Sequence, residues 1–231
     1  HTMSKNIVVI GGSTGIGKAI VEKAAQNAEN NIFAFSRQKE LMSKNFKSLN
    51  NVSVHHLDLE HFSGPKFVTD IEKLGPIDIL INNAGFLIKK EFDKLSHEDF
   101  VRSYQINAIG IMQVVQAVLP AMNQHGSHIV NISSMGGFQG SMKFPGLAAY
   151  STSKAALCSF TELFAEEYKD SNIKMNCLCL GAVQTEMLEA AFPGFEAPHQ
   201  PEQIAEYIYD FSCKQGDFLN GKIIPVSLST P

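Results

Sequence analysis

The chain reads as an α/β protein with one doubly wound domain, a seven-stranded parallel sheet carrying helices on both faces. Three observations predict this. Short apolar runs rich in β-branched residues alternate with longer segments of helical periodicity, the pattern of parallel strands buried on both sides. A glycine-rich turn, Gly11-Gly-Ser-Thr-Gly15-Ile-Gly17, follows the first of these runs. A length of 231 residues, 44% of them hydrophobic, is enough for one substantial core, and no proline- or serine-rich linker divides it.

Taken in order, Ile7-Val-Val-Ile10 lies in a first strand over 6–10, and the glycine turn opens a helix over 15–27. Strands follow at 31–35, 52–57, 77–81, 127–132, 174–180 and 222–226. The intervening helices are expected over 38–49, 65–74, 98–123, 149–170 and 201–213. Two stretches, 106–119 and 155–165, are apolar around more of the helix than one sheet face requires. A homodimer or homotetramer interface would account for the second apolar face, as would neighbouring helices of the same chain. His1-Thr2, ahead of Met3, reads as a tag remnant, so the expected domain is 3–231.

Composition narrows the function. A net charge of -4, with no basic run, argues against a nucleic-acid surface and for a small-molecule partner. Cys158, Cys177, Cys179 and Cys213 show neither Cys-x-x-Cys spacing nor the density of a disulfide scaffold, and read as reduced core residues of a cytoplasmic protein. No His-Glu-x-x-His or comparable ligand set appears, so no metal is expected. No apolar run approaches the roughly 20 residues that span a bilayer, so no membrane partner is expected.

Gly11, Gly15 and Gly17 stand where a strand hands over to a helix, the context of a dinucleotide fingerprint in a Rossmann-type fold. Glycine lets the backbone approach a pyrophosphate, whose charge meets the free N–H groups at a helix start. Ser13, Thr14 and Ile16 belong to the same loop. About 20 residues further on, where an acid commonly holds the ribose of NAD, stand Ser36 and Arg37. A guanidinium forked onto a 2′-phosphate contributes roughly 1.5 to 3 kcal/mol, so NADP(H) is favoured over NAD(H).

Tyr150 and Lys154 are four residues apart, which on a helix places them on one face. A cation beside a phenol lowers its pKa from about 10, and the expectation is that Lys154 does this for Tyr150, making it a general acid.

Together with Asn82-Asn83-Ala84-Gly85 after the fourth strand, these motifs make the chain resemble the short-chain dehydrogenase/reductase family over nearly its whole length. The resemblance implies four catalytic residues: Asn107, Ser134, Tyr150 and Lys154. Ser134, the second of the Ser133-Ser134 pair, would donate to the substrate carbonyl while Ser133 supports the loop. Asn107 would bend its helix so that a main-chain carbonyl holds a water near Lys154, and Lys154 would also bond the nicotinamide ribose. Asn83, Ala84 and Gly85 would touch the adenosine half, and Asp58, followed by Leu59, would accept from the adenine amino group. Gly181, Val183 and Thr185 would lie at the nicotinamide.

The sequence departs from the family pattern at Ile10, where threonine is common, and at Leu180, where proline is. It also lacks an Asp-Gly-Gly ending in 225–231, and the interval of 16 residues from Ser134 to Tyr150 is a few residues longer than the family's. The function implied is an NADP(H)-dependent oxidoreductase acting on a carbonyl or secondary alcohol, with apolar segments at 135–146 and 187–198 bordering a hydrophobic substrate. The alternative is a non-catalytic NADP(H)-binding sensor or scaffold of the same fold. Nucleotide-sugar epimerases need a longer chain, and a methyltransferase gives no reason for the tyrosine-lysine spacing.

Overall fold

A computed structural model describes residues 3–228. The expected remnant His1-Thr2 and residues 229–231 of the C-terminal segment lie outside the described residues. The sheet has seven strands in the order β3-β2-β1-β4-β5-β6-β7, all parallel. They are β1 (Asn6–Ile10), β2 (Asn31–Ser36), β3 (Val52–His56), β4 (Ile79–Asn82), β5 (Ser127–Ser134), β6 (Ile173–Leu180) and β7 (Ile223–Val226).

Strand alternation explains why β1 is apolar throughout. Ile7 and Val9 enter one core, Val8 and Ile10 the other, and all are buried. At about 1.5 to 3 kcal/mol per fully buried aliphatic side chain, a polar substitution in this strand would weaken both layers. The first core lies under α1 (Gly15–Ala25), α2 (Lys39–Asn45) and the C-terminal helix α8 (Pro201–Lys214). The second lies under α3 (Gly64–Ile71), α5 (Gly110–Val118) and α6 (Ala148–Glu167).

Two expectations are corrected. The helix expected over 98–123 is three pieces: α4 (His97–Tyr104), a π-helical segment Gln105–Ile109, and α5, after which Pro120 falls in a 3-10 turn. The segment 187–198, expected to be loop, contains the short helix α7 (Glu186–Ala191), whose start is capped by the Thr185 hydroxyl accepting from Leu188 N–H at 3.2 Å. The apolar circumference of 106–119 is mostly covered within the chain, since Ile106, Ala108, Ile111, Val114, Val115 and Val118 are all buried. Val101, Ile109 and, on α6, Leu163 remain exposed.

Candidate active site

Strand register sets the site. Ile10 pairs with both Phe35 and Asn82, Asn82 with Asn131, and Ser134 with Leu180, which pairs with Val226. The segments beginning at Gly11, Ser36, Asn83 and Gly181 therefore emerge along one carboxyl edge with Ser134. The chain runs outward in opposite directions from β1 and β4, and a parallel sheet opens its ligand crevice at that switch point.

At the crevice, Gly11 adopts φ 87° and a Cβ there would meet Ala84 Cα at 2.6 Å. At Gly17 a Cβ would collide with the Gly11 carbonyl and lie 2.7 Å from Asn83 Nδ2. Asn83 Nδ2 donates to that carbonyl at 3.2 Å and so ties the loop to the end of β4. Thr14, at the N-cap, is extended and its side chain caps no N–H, which leaves the first-turn donors of α1 to a ligand. Gly15 and Ile16 complete the turn, and Thr185 Cγ2 lies 3.4 Å from a Cβ built on Gly15, so the segment before α7 stands over the loop. The cradle fits a pyrophosphate.

Ser36 Oγ donates to Ser13 Oγ at 2.9 Å and accepts from Gln38 N–H at 3.1 Å, which links β2 to the glycine loop. Arg37 beside it is exposed. Asp58 accepts from Glu60 N–H at 2.9 Å and pairs with His61 Nδ1 at 3.1 Å. Burial works to raise its pKa, but those hydrogen bonds and the charges of His61 and Arg37 outweigh it and hold the carboxyl below its usual range. Asp58 lines a recess of about 90 Å³ with His56 and Phe67. The Leu59 side chain points into the core and its carbonyl accepts from Gln105 Nε2 at 2.9 Å. Gly181 N–H is used by Val226 O at 2.9 Å, and Val183 is buried beside His199, to which it is bridged.

The four candidate catalytic residues come from three elements. Asn107, fully buried in the π-helical segment, accepts from Phe86 N–H at 2.7 Å and donates to Phe86 O at 2.8 Å and to Ser153 Oγ at 3.0 Å. An asparagine inside an apolar helix is thereby fully paired, and it clamps the segment after Gly85. Ser153 in turn donates to the Tyr150 carbonyl at 2.8 Å. Lys154, 4% exposed, donates to Ile132 O at 3.0 Å, and Ser133 donates to the Lys154 carbonyl at 2.8 Å. A Cβ on Gly85 would lie 3.3 Å from Lys154 Nζ and 3.7 Å from Asn107 Oδ1, so both polar groups converge on that glycine. Ser134 Oγ accepts from Gly136 N–H at 3.2 Å and hydrogen-bonds toward the Tyr150 phenol.

The electrostatics correct the expected pairing. Burial raises the Tyr150 pKa above its ordinary value, and the opposing influence is Ser134, not Lys154. The lysine ammonium is directed to the Ile132 carbonyl, so a shared helix face has not brought the charge onto the phenol. Burial also pulls Lys154 down from 10.5 to about 8, with the nearby Cys177, Cys158 and Cys179 opposing it.

The rim is partly as expected. Lys89 Nζ sits 4.1 Å from the centre of the Phe192 ring, and Lys90 N–H donates to Gly146 O at 2.9 Å, which draws α7 and the end of the long loop toward 86–90. The same loop is tied by Lys143 Nζ donating to Phe138 O at 2.7 Å and by Ser141 Oγ donating to Met135 O. A groove of about 1350 Å³ runs along its other side, lined by Phe138 and Phe144 with Ala155 and Ser159, and includes none of Ser134, Tyr150 or Lys154. Ser153 is a support that sequence reasoning missed; its signal was its place between Tyr150 and Lys154.

A dinucleotide cradle at the switch point, with tyrosine, serine and buried lysine gathered on the same sheet edge, marks a nicotinamide-dependent oxidoreductase acting on C=O or CH–OH groups. The chain belongs to the short chain dehydrogenase family, whose model matches residues 5–194. It is 30% identical over 236 residues to an acetoacetyl-CoA reductase of Shinella zoogloeoides, covering 96% of each chain. It is 27% identical to a 3-oxoacyl-(acyl-carrier-protein) reductase of Aquifex aeolicus, covering 95% of this chain and 94% of that one. A short-chain dehydrogenase/reductase structure from Serratia marcescens superposes with a TM-score of 0.86 at 24% identity, covering 98% of both chains, and shares the fold. Among the described residues no helix is long and apolar enough to cross a membrane.

Proposed function

We propose that the chain is an NADP(H)-dependent reductase that interconverts a carbonyl and a secondary alcohol on a small, largely apolar molecule. The observation that carries this reading is the gathering of Asn107, Ser134, Tyr150 and Lys154 beside the glycine cradle. When bound, the reduced nicotinamide supplies hydride to the carbonyl carbon. Tyr150, kept protonated at neutral pH by its raised pKa, donates its phenolic proton to the carbonyl oxygen. Ser134, whose oxygen is held by Gly136 N–H, would turn its proton from the Tyr150 phenol to the same oxygen and stabilise the charge that develops there. Lys154, whose ammonium is held on the Ile132 carbonyl and not on the phenol, would bond the nicotinamide ribose beside Tyr150. Asn107 keeps Phe86 and Ser153 in place around that lysine.

Gly11, Ser13, Thr14, Gly15, Ile16 and Gly17 would hold the pyrophosphate, and Ser36 and Arg37 the 2′-phosphate. Asp58 and Leu59 would meet the adenine, with Asn83, Ala84 and Gly85 along the adenosine half. Gly181, Val183, Thr185, Tyr150 and Lys154 would bound the nicotinamide end. Phe192 and the apolar segments beside it favour a hydrophobic substrate, and the relatives named as reductases of 3-oxoacyl thioesters make that class the first to test. The exposed Val101, Ile109 and Leu163 support self-association into a dimer or tetramer, and the reduced thiols suit the cytoplasm.

The test is steady-state oxidation of NADPH and of NADH against 3-oxoacyl thioesters, aliphatic ketones and aldehydes. Turnover is expected, with kcat/KM higher for NADPH by roughly 10- to 100-fold. Cofactor binding with no turnover of any carbonyl, or a preference for NADH, overturns the reading.

A further inference from the structure

Behind Lys154, three of the four cysteines meet. Cys177 and Cys179 alternate along β6 and face one side of the sheet, and Cys158 reaches them from α6, one turn after Lys154. Cys158 Sγ lies 3.6 Å from Cys179 Sγ and 4.0 Å from Cys177 Sγ. All three sulfurs fall within 4.8 Å of one another, and Cys158 Sγ is also 3.6 Å from Ser133 Oγ. Met135, Phe138 and Ile223 pack against the cluster. The sequence showed only scattered cysteines, because the cluster is made by the docking of α6 on β6.

We propose that Cys158 is a peroxide-reactive thiol whose oxidation Cys179 resolves into an intramolecular disulfide. Three geometric facts carry this. Cys158, 9% exposed, lines the 1350 Å³ groove with Gly136, Phe138, Ala155 and Ser159, which brings a small oxidant up to the residue. Its thiolate is stabilised in place, since Cys177 and Cys179 can both donate to it and the Lys154 ammonium is close behind. These influences, led by the Cys177 hydrogen bond, draw the Cys158 thiol down, and of the three cysteines Cys158 alone lines the groove, which makes it the nucleophile. Finally, the resolving sulfur is already in contact: 3.6 Å must shorten to about 2.05 Å. Cys177 and Cys179 are a poorer pair, since same-face neighbours on one strand stand roughly 6.7 Å apart at Cα, the far limit of disulfide spans.

The chemistry balances with a peroxide as oxidant. The Cys158 thiolate attacks one peroxide oxygen, the S–O bond forms, the O–O bond breaks, and the departing oxygen takes a proton and leaves as water or an alcohol. Cys179 sulfur then attacks Cys158 sulfur, the S–O bond breaks, and hydroxide leaves as water with the Cys179 proton. Two thiols are oxidised and one peroxide is reduced by two electrons. The bond would draw α6 toward β6 one turn from Lys154 and disturb the Ser133–Lys154 contact. A fall in turnover of roughly 10- to 100-fold follows from a shift of that kind. That consequence rests on the roles proposed above for Lys154 and Tyr150; the disulfide itself does not.

The test is mass spectrometry of the whole protein after hydrogen peroxide and alkylation, followed by peptide mapping. Two of the four thiols should become unavailable, with a Cys158–Cys179 cross-linked peptide that a dithiol reductant removes. Cys179→Ser should stop at a sulfenic acid trapped by a 1,3-dione, Cys158→Ser should not react, and Cys177→Ala should still form the disulfide. The wild-type peptide map decides the matter even if a variant folds poorly. All four thiols remaining alkylatable, prior oxidation of Cys213, or one equivalent of tightly held zinc on the three sulfurs of the purified protein would each overturn the proposal. These readouts need no turnover, so they stand or fall apart from the reductase reading.

Discussion

Replacing Lys154 by methionine keeps an unbranched stem of similar length and removes the buried ammonium. Burial holds the folded-state pKa near 8 against 10.5 for the free group. At about 1.36 kcal/mol for each tenfold change in proton affinity, the charge costs the fold roughly 3 kcal/mol at pH 7. The sign follows from proton counts. The unfolded chain binds the proton up to pH 10.5 and the folded one only to about 8, so the cost is complete below pH 8 and fades between the two values. Against the gain stands the lost hydrogen bond to Ile132 O, about 0.5 to 1.5 kcal/mol net. Lys154→Met should therefore be more stable than wild type by roughly 2 kcal/mol at pH 7, or roughly 4 to 8 °C in Tm at this chain length. Calorimetry at pH 7 and pH 10 checks it, because the advantage should shrink at the higher pH while other titrations cancel in the difference. A variant less stable than wild type at pH 7, or a difference independent of pH, would refute the reasoning.

Other outcomes follow from the same geometry. Arg37→Ala should weaken NADPH binding about 10- to 100-fold in a calorimetric titration and leave NADH nearly unchanged. Gly17→Ala should abolish binding of both cofactors and lower Tm, since its methyl would meet the Gly11 carbonyl and the Asn83 amide. His128 is neutral in the fold: it accepts from Asn176 Nδ2 at 2.9 Å and donates through Nδ1 to Ser212 O at 3.0 Å, and burial lowers its pKa from 6.5 to about 4. Its contribution is present above pH 6.5 and is lost as pH falls toward 4, amounting to about 3 kcal/mol, and urea midpoints at pH 7, 5 and 4 should fall less steeply in His128→Asn.

Much of the architecture was legible because its signals are local. The strands β1, β2, β4 and β7 are short apolar runs ended by glycine or polar residues, and the glycine turn announces its own position between β1 and α1. The tyrosine, lysine, serine and asparagine of the candidate site were legible through their motifs and the company they keep. What the sequence withheld depends on packing. A six-residue helix such as α7 is too short for periodicity to show. The direction of the Lys154 ammonium is set by the Ile132 carbonyl across the α6–β5 contact, so spacing on one helix predicted the wrong influence on Tyr150. The three-thiol cluster needs the docking of α6 on β6, which no spacing rule encodes. The long loop before Tyr150 was expected to border substrate, whereas much of it lines a separate groove and only its end, at Gly146, meets the rim at Lys90.

The most direct test of the central claim compares wild type with Tyr150→Phe, measuring NADPH affinity and kcat on a 3-oxoacyl thioester in the same preparation. Removing one hydroxyl from a half-buried ring should leave cofactor affinity and Tm almost unchanged and lower kcat about 10²- to 10⁴-fold, the contribution of a positioned general acid. Turnover that survives the substitution at the wild-type rate would contradict the account.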